Sequence, residues 1–312
     1  MKNILIIILF LAVALPLAAQ SKKYGLVFNV LVDSKSDNYD IFAMDLDGSN
    51  KRNITNHADV AWVYHTSGKT VFFISDRDAC KRCYFLYSMD FAGNNVRKIS
   101  DLRLEDSWMG TRNKGKEIVV SGRIGTDVRY QLFIIDVATG KYRQLTNEAG
   151  AAYRDPVFSP DGKRIAYVYK KERTNREINE ELFIMNSDGS NKRQLTTYPK
   201  DDKTAQWHDY HAGPPRWVKK HGFISYHSVQ GGKSSLFAVT PDGKRNWKLT
   251  ENELNEGWHD WSPDGKWLAI EMNPKDNSEY GIWLMNWKTK EIKKLTDPKQ
   301  FKNQQAPSFV EK

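Results

Sequence analysis

The segment Glu181-LFIMNSDGSNKRQL-Thr196 decides how this chain folds. It opens with alternating aromatic and aliphatic residues, turns at Asp188-Gly189 and closes on a polar run ending in Leu195-Thr196. Alternation of period two on either side of a turn signal reads as a β-hairpin. Glycine suits the turn because hairpin turns hold residues at positive φ, which a Cβ resists.

The same phrase returns five more times, as Asp40-IFAMDLDGSNKRNI-Thr55, Tyr84-FLYSMDFAGNNVRKI-Ser100, Gln131-LFIIDVATGKYRQL-Thr146, Ser235-LFAVTPDGKRNWKL-Thr250 and Gly281-IWLMNWKTKEIKKL-Thr296. Its turn glycines Gly48, Gly93, Gly140, Gly189 and Gly243 recur every 45 to 54 residues, a period that belongs to propeller blades. Between the copies lies a second hairpin, clearest as Pro156-VFSPDGKRIAYV-Tyr169 and His259-DWSPDGKWLAIE-Met272. Two hairpins make four strands, one blade. A lone blade has two apolar faces and cannot bury both, so blades must stack radially. The rival reading of Asp45-Leu46-Asp47-Gly48-Ser49-Asn50 as a calcium loop fails because the carboxylate that closes an EF-hand loop is missing.

Five blades begin near Ala61, Trp108, Asp155, Gly213 and Gly257. A sixth starts at Gln305-APSF-Val310, and its missing strands come from the other end of the chain, beginning with Lys23-YGLVF-Asn29. The expected fold is all-β: a six-bladed β-propeller of four-stranded antiparallel blades, closed by N- and C-terminal strands sharing one blade. Strand 24–29 should pair with 306–310. Such closure leaves no free sheet edge to aggregate.

Upstream, Lys2 followed by the apolar run Ile4–Leu17 and the small residues before Gln20 has the layout of a secretory signal peptide. Residues 1–20 are therefore expected to be removed, leaving 21–312 as one propeller domain, periplasmic or secreted. No second apolar stretch is long enough to span a bilayer, so no transmembrane segment is expected after removal. Cys80 and Cys83, the two cysteines of the chain, form Cys-Lys-Arg-Cys; in an exported protein this spacing reads as a local disulfide, and the helix context of a redox CxxC is missing. Two cysteines without a nearby histidine pair do not make a zinc site, and no metal or other cofactor is implied. With 47 Lys and Arg against 38 Asp and Glu, the chain carries a formal charge of +9. That sign fits an acidic polysaccharide or an anionic surface as readily as a solvated basic exterior. Export argues against nucleic acid, and nothing in the sequence calls for more than a monomer.

Ser159-PDG-Lys163 and Ser262-PDG-Lys266, alternating with the Met185-NSDGSNKRQL-Thr196 phrase, resemble the TolB-like (WD40-like, PD40) propeller repeat over residues 24–310. The resemblance implies a six-bladed propeller and a role in binding an envelope protein or an acidic glycan. In TolB an α/β domain precedes the propeller; with only a few residues between the expected signal and Tyr24, that domain is expected to be absent here. Related repeats occur in prolyl oligopeptidase-like enzymes, but the sequence contains no Gly-x-Ser-x-Gly, and with the propeller expected to take up residues 21–312 no hydrolase domain is expected.

Strand polarity alternates within a blade, so the loops entering each first strand open on one face and the tight Asp-Gly turns on the other. On the loop face the sequence gathers His208, Tyr210, His211, Arg216, His227, Trp258 and His259, with Arg154 one blade earlier beside Asp155. Grouped His, Tyr and Arg beside Trp suit ligand contact or proton transfer, and equally suit packing of a propeller mouth. The region from Gln206 to His227, with His259, is similar to that of oligogalacturonate lyases. This alternative reading implies a lyase or hydrolase acting on uronic-acid glycans, with His259 where the lyase base would lie and His211 and Tyr210 as further catalytic candidates. The lyases' metal-binding histidines correspond here to Gln304-Gln305-Ala306.

Overall fold

A computed structural model describes residues 23–126, 128–199, 202–274 and 279–312; the expected signal segment lies outside them. Six antiparallel sheets stand around a central axis. The innermost strand of blade 1 is Lys302–Glu311, followed outward by Tyr24–Asp33, Asn38–Asp45 and Arg52–Asn53. Blade 2 runs Ala61–Ser67, Thr70–Ser75, Phe85–Asp90 and Arg97–Lys98, and blade 4 runs Ala152–Phe158, Arg164–Lys170, Glu181–Asn186 and Arg193–Gln194. Blade 5 comprises Arg216–Val218, Phe223–Gln230, Lys233–Val239 and Asn246–Lys248; blade 6 comprises Asn255–Trp261, Trp267–Asn273, Gly281–Asn286 and Ile292–Lys294.

Closure at the termini is as expected. Gly25 pairs with Val310, Leu26 with Phe309, Val27 with Ser308 and Asn29 with Gln305. The glue between blades is apolar. Leu26, Phe28 and Phe309 of blade 1 pack on Ala269 and Ile282 of blade 6, while Val27 and Ile41 pack on Val63 and Phe73 of blade 2. Each fully buried Leu, Ile, Val or Phe among them stabilises the ring by roughly 1.5–3 kcal/mol relative to exposure.

The repeat's fixed residues have local work. The closing threonine turns back to the start of the third strand: Ile41 N donates to Thr55 Oγ1, Leu132 N to Thr146 Oγ1, Leu182 N to Thr196 Oγ1 and Ile282 N to Thr296 Oγ1, at 2.8–2.9 Å. At Gly93 and Gly140, with φ of 88° and 72°, a Cβ would stand 2.3 Å from a carbonyl of the preceding blade, Ile54 O and Ile99 O respectively. Those glycines therefore serve blade stacking as well as the turn.

Blade 3 departs from the simple plan. Its inner edge is split into Arg103–Leu104 and Gly110–Arg112, both paired with Glu117–Ile124, followed by Val128–Asp136 and Tyr142–Gln144. The gap is held by Asp155 of the next blade, whose Oδ1 accepts from Trp108 N at 2.8 Å and from Ser107 Oγ at 3.1 Å. Trp108 is thus drawn toward the axis instead of starting a strand.

Cys80 and Cys83 are bonded to each other in the loop between the second and third strands of blade 2, their Cα atoms 5.1 Å apart. Among the described residues no helix is long and apolar enough to cross a membrane.

Candidate functional site

The segment 202–215, which enters blade 5 from blade 4, builds one wall of the loop-face mouth. It is zipped down by backbone bonds: Tyr210 N to Val229 O, Gly213 N to His227 O and Ala212 N to Glu180 O, each 2.8 Å. Asp209, buried, accepts from Gln206 N at 3.0 Å and fixes the preceding turn.

Within this wall His211 Nδ1 accepts from Glu180 N at 3.2 Å, so the ring proton sits on Nε2 and is donated to Trp207 O at 3.0 Å. Both nitrogens are occupied, and burial lowers its pKa. His227, from the second strand of the same blade, ends with a buried Nδ1 that has no hydrogen-bond partner among the described residues. Desolvation, helped by the Arg216 cation, lowers its pKa to about 4. His208 is the exposed member, its Nε2 3.7 Å from Asp209 Oδ1.

His208, His211 and His227 line a cavity of about 340 Å³ together with Trp258, Arg154, Glu180, Asp106 and Asp155. A second hollow of about 390 Å³ shares His208, His227 and Trp258 and adds Glu271, Tyr280 and Gln305. The floor is aromatic: Trp108 and Trp258 meet edge to face at 5.8 Å, with Tyr64 5.2 Å and 6.3 Å from them. Carboxylates outnumber cations here. Arg154 pairs with Glu180 at 3.2 Å, not with its neighbour Asp155. Desolvation pushes Asp155 up to about 6 and Glu271 up to about 8.

Three of the residues expected at this mouth lie elsewhere. Tyr210 lines an adjoining groove of about 770 Å³ with Trp207 and Arg176, and its hydroxyl donates to Asp202 Oδ2 at 2.7 Å. His259 is 2% exposed; its Nε2 shares a hydrogen bond with Ser225 Oγ at 2.7 Å, and Ser225 Oγ also accepts from Trp261 Nε1. It pegs blade 6 to blade 5 and reaches neither hollow. Arg216 lies on the axis over Trp108 and opens instead into a third cavity, of about 530 Å³, on the turn face. For His259 the pairing of Asn255–Trp261 with Trp267–Asn273 shifts between Glu256 and His259, so simple alternation along the sequence does not give its side.

Asp106, Glu180, Glu271 and Tyr64 escaped sequence reading. Each sits on a different strand or loop, and only their convergence on the axis marks them.

Six antiparallel blades with a lined pocket at the axis define a β-propeller with a loop-face mouth. Within that class the chain belongs to the TolB beta propeller domain family, PD40, which matches residues 27–211. The Tol-Pal system protein TolB of Francisella tularensis is 32% identical over 121 residues, 37% of this chain and 25% of that protein. The chain covers between 15% and 36% of the length of the curated relatives it matches. TolB from Acinetobacter baumannii has the same fold with a TM-score of 0.67 at 14% identity, over 91% of this chain and 66% of that one. An oligogalacturonate lyase in complex with manganese follows with a TM-score of 0.55 at 15% identity, over 86% of this chain and 73% of that one. At such identities the two solved structures share its fold.

Proposed function

We propose that this chain is an exported, non-catalytic binding propeller whose loop-face mouth holds a segment of an envelope protein, a reading supported by its similarity to Tol-Pal system proteins. In this reading residues 1–20 are a cleaved signal, 21–312 form one domain in the periplasm or outside the cell, and the protein works as a monomer without a cofactor.

The carrying observation is the chemistry of the mouth. Asp106, Asp155 and Glu180 surround an aromatic floor of Tyr64, Trp108 and Trp258, and a cationic side chain is what such a setting attracts. Trp207, 70% exposed in the adjoining groove and meeting the ring of the mouth residue His208 edge to face, supplies an anchor of the kind that dominates protein interfaces. An acidic glycan in the same mouth would meet those carboxylates. The lyase reading has less support, since His259 is buried and bonded to Ser225, His211 has both nitrogens engaged, and the Tyr210 hydroxyl is given to Asp202.

The test is capture of solubilised envelope proteins on the immobilised mature protein, compared with Trp207→Ala and Asp155→Asn. A specific protein retained by the wild type and lost from both variants supports the reading. Equal capture by all three proteins sinks it, as does release of unsaturated uronate product from polygalacturonate that His259→Ala abolishes.

A further inference from the structure

The two faces of the ring differ in charge. Every blade places both of its tight turns on one face, and these are segments 45–52, 67–70, 90–98, 112–117, 136–143, 159–164, 186–193, 219–222, 240–248, 262–266 and 286–294, joined by Lys23 and 311–312 at the closure. They carry 26 Lys and Arg against 11 Asp and Glu. The rest of the described chain carries 17 against 24. The basic excess of the protein is therefore a property of its turn face, and the face with the mouth is net acidic.

The acidic groups of the turns are engaged inwardly. Asp161 accepts from Ser159 Oγ and Lys163 N, and Asp242 from Thr240 Oγ1 and Lys244 N. The same pattern recurs at Asp264, with Ser262 Oγ and Lys266 N. One oxygen of each is held by hydroxyl and backbone donors, while Lys114, Lys163, Lys219 and Lys220 stand exposed around the axis, joined by the exposed Lys266, whose Nζ is 3.7 Å from Asp264 Oδ2. Inside this ring lies the turn-face cavity of about 530 Å³, whose walls include Trp217, Arg112, Lys219 and Lys220.

We propose that the turn face is a docking surface for an acidic polysaccharide, with carboxylated sugar units bridging the lysine ring across the axial cavity. Charge complementarity favours a polyanion. The cavity favours a glycan over a lipid surface: it is concave and walled by an indole beside ammonium groups, and the large apolar residues exposed on this side, Val96, Tyr142 and Ile292, lie on outer turns and strands away from it. The site is separate from the mouth and does not depend on what the mouth binds.

The experiment measures binding of the mature protein to immobilised polygalacturonate at low and raised salt. Three proteins are compared: wild type; a turn-face variant with Lys163→Glu, Lys219→Glu and Lys220→Glu; and a control with the same charge change on exposed loop-face residues, Lys35→Glu, Lys81→Glu and Lys299→Glu. The expected result is salt-sensitive binding that falls on the order of tenfold or more in the turn-face variant and little in the control, because local complementarity outweighs net charge. Trp207→Ala, which tests the mouth, is expected to leave this binding unchanged. No binding by the wild type, an equal fall in both charge variants, or retention by phosphatidylglycerol vesicles but not by polygalacturonate overturns the proposal.

Discussion

The Arg216 guanidinium lies over the Trp108 ring, 3.6 Å from its centroid, and the pair forms the partition between the loop-face mouth and the turn-face cavity. Arg216 also donates to His259 O at 3.0 Å and stands 3.6 Å from Asp260 Oδ1. Three blades meet in this one side chain.

Arg216→Ala is expected to destabilise the protein by roughly 2–4 kcal/mol, since it removes the stack and leaves Asp260 without its cation. Arg216→Lys should recover little of this, as an ammonium cannot stack and fork at once. Urea denaturation followed by tryptophan fluorescence measures both; a cost below about 0.5 kcal/mol for the alanine variant contradicts the partition's structural role.

Gly213 is a close-approach glycine without positive φ. A Cβ there would stand 2.0 Å from His227 Cε1. Gly213→Ala should cost about 1–3 kcal/mol by overpacking, and combining it with His227→Ala should cost less than the two changes added. Strict additivity in the double-mutant cycle would show that the contact is not the cause.

Glu271 keeps its proton in the folded protein up to about pH 8, against an ordinary value of 4.5, because burial penalises the carboxylate. The native state then binds more protons than the unfolded chain across that interval, so this group makes stability fall as pH rises from 4.5 to about 8. Glu271→Gln cannot ionise. Its melting temperature should match the wild type near pH 5 and exceed it at pH 9, by the equivalent of about 1–2 kcal/mol. Parallel pH profiles for the two proteins would show that Glu271 is ionised in the fold.

The closing strand should be essential. Phe309, 3% exposed, packs between blades 1 and 6, and Phe309→Ala should cost about 3–5 kcal/mol. Removing 302–312 strips blade 1 of its inner strand and exposes the edge of Tyr24–Asp33, so the truncated protein should elute as aggregate on size-exclusion chromatography. A stable monomer would mean the ring closes without that strand.

What the sequence determined by itself was the architecture. The phrase ending at Thr55, Thr146, Thr196 or Thr296 is a local device, a hairpin with its own turn and its own threonine bond, and six local devices in series have few ways to bury their faces. The terminal pairing followed from the count. Tertiary structure alone decided which side chains share a cavity. Trp258 and His259 are neighbours in sequence, yet one lines the mouth and the other is sealed against Ser225 of the adjacent blade. Glu180, Asp106 and Glu271 come from three different blades and have no spacing that links them. The division of charge between the faces was likewise hidden in a single net value, because strand polarity, and not position along the chain, assigns each lysine to its face.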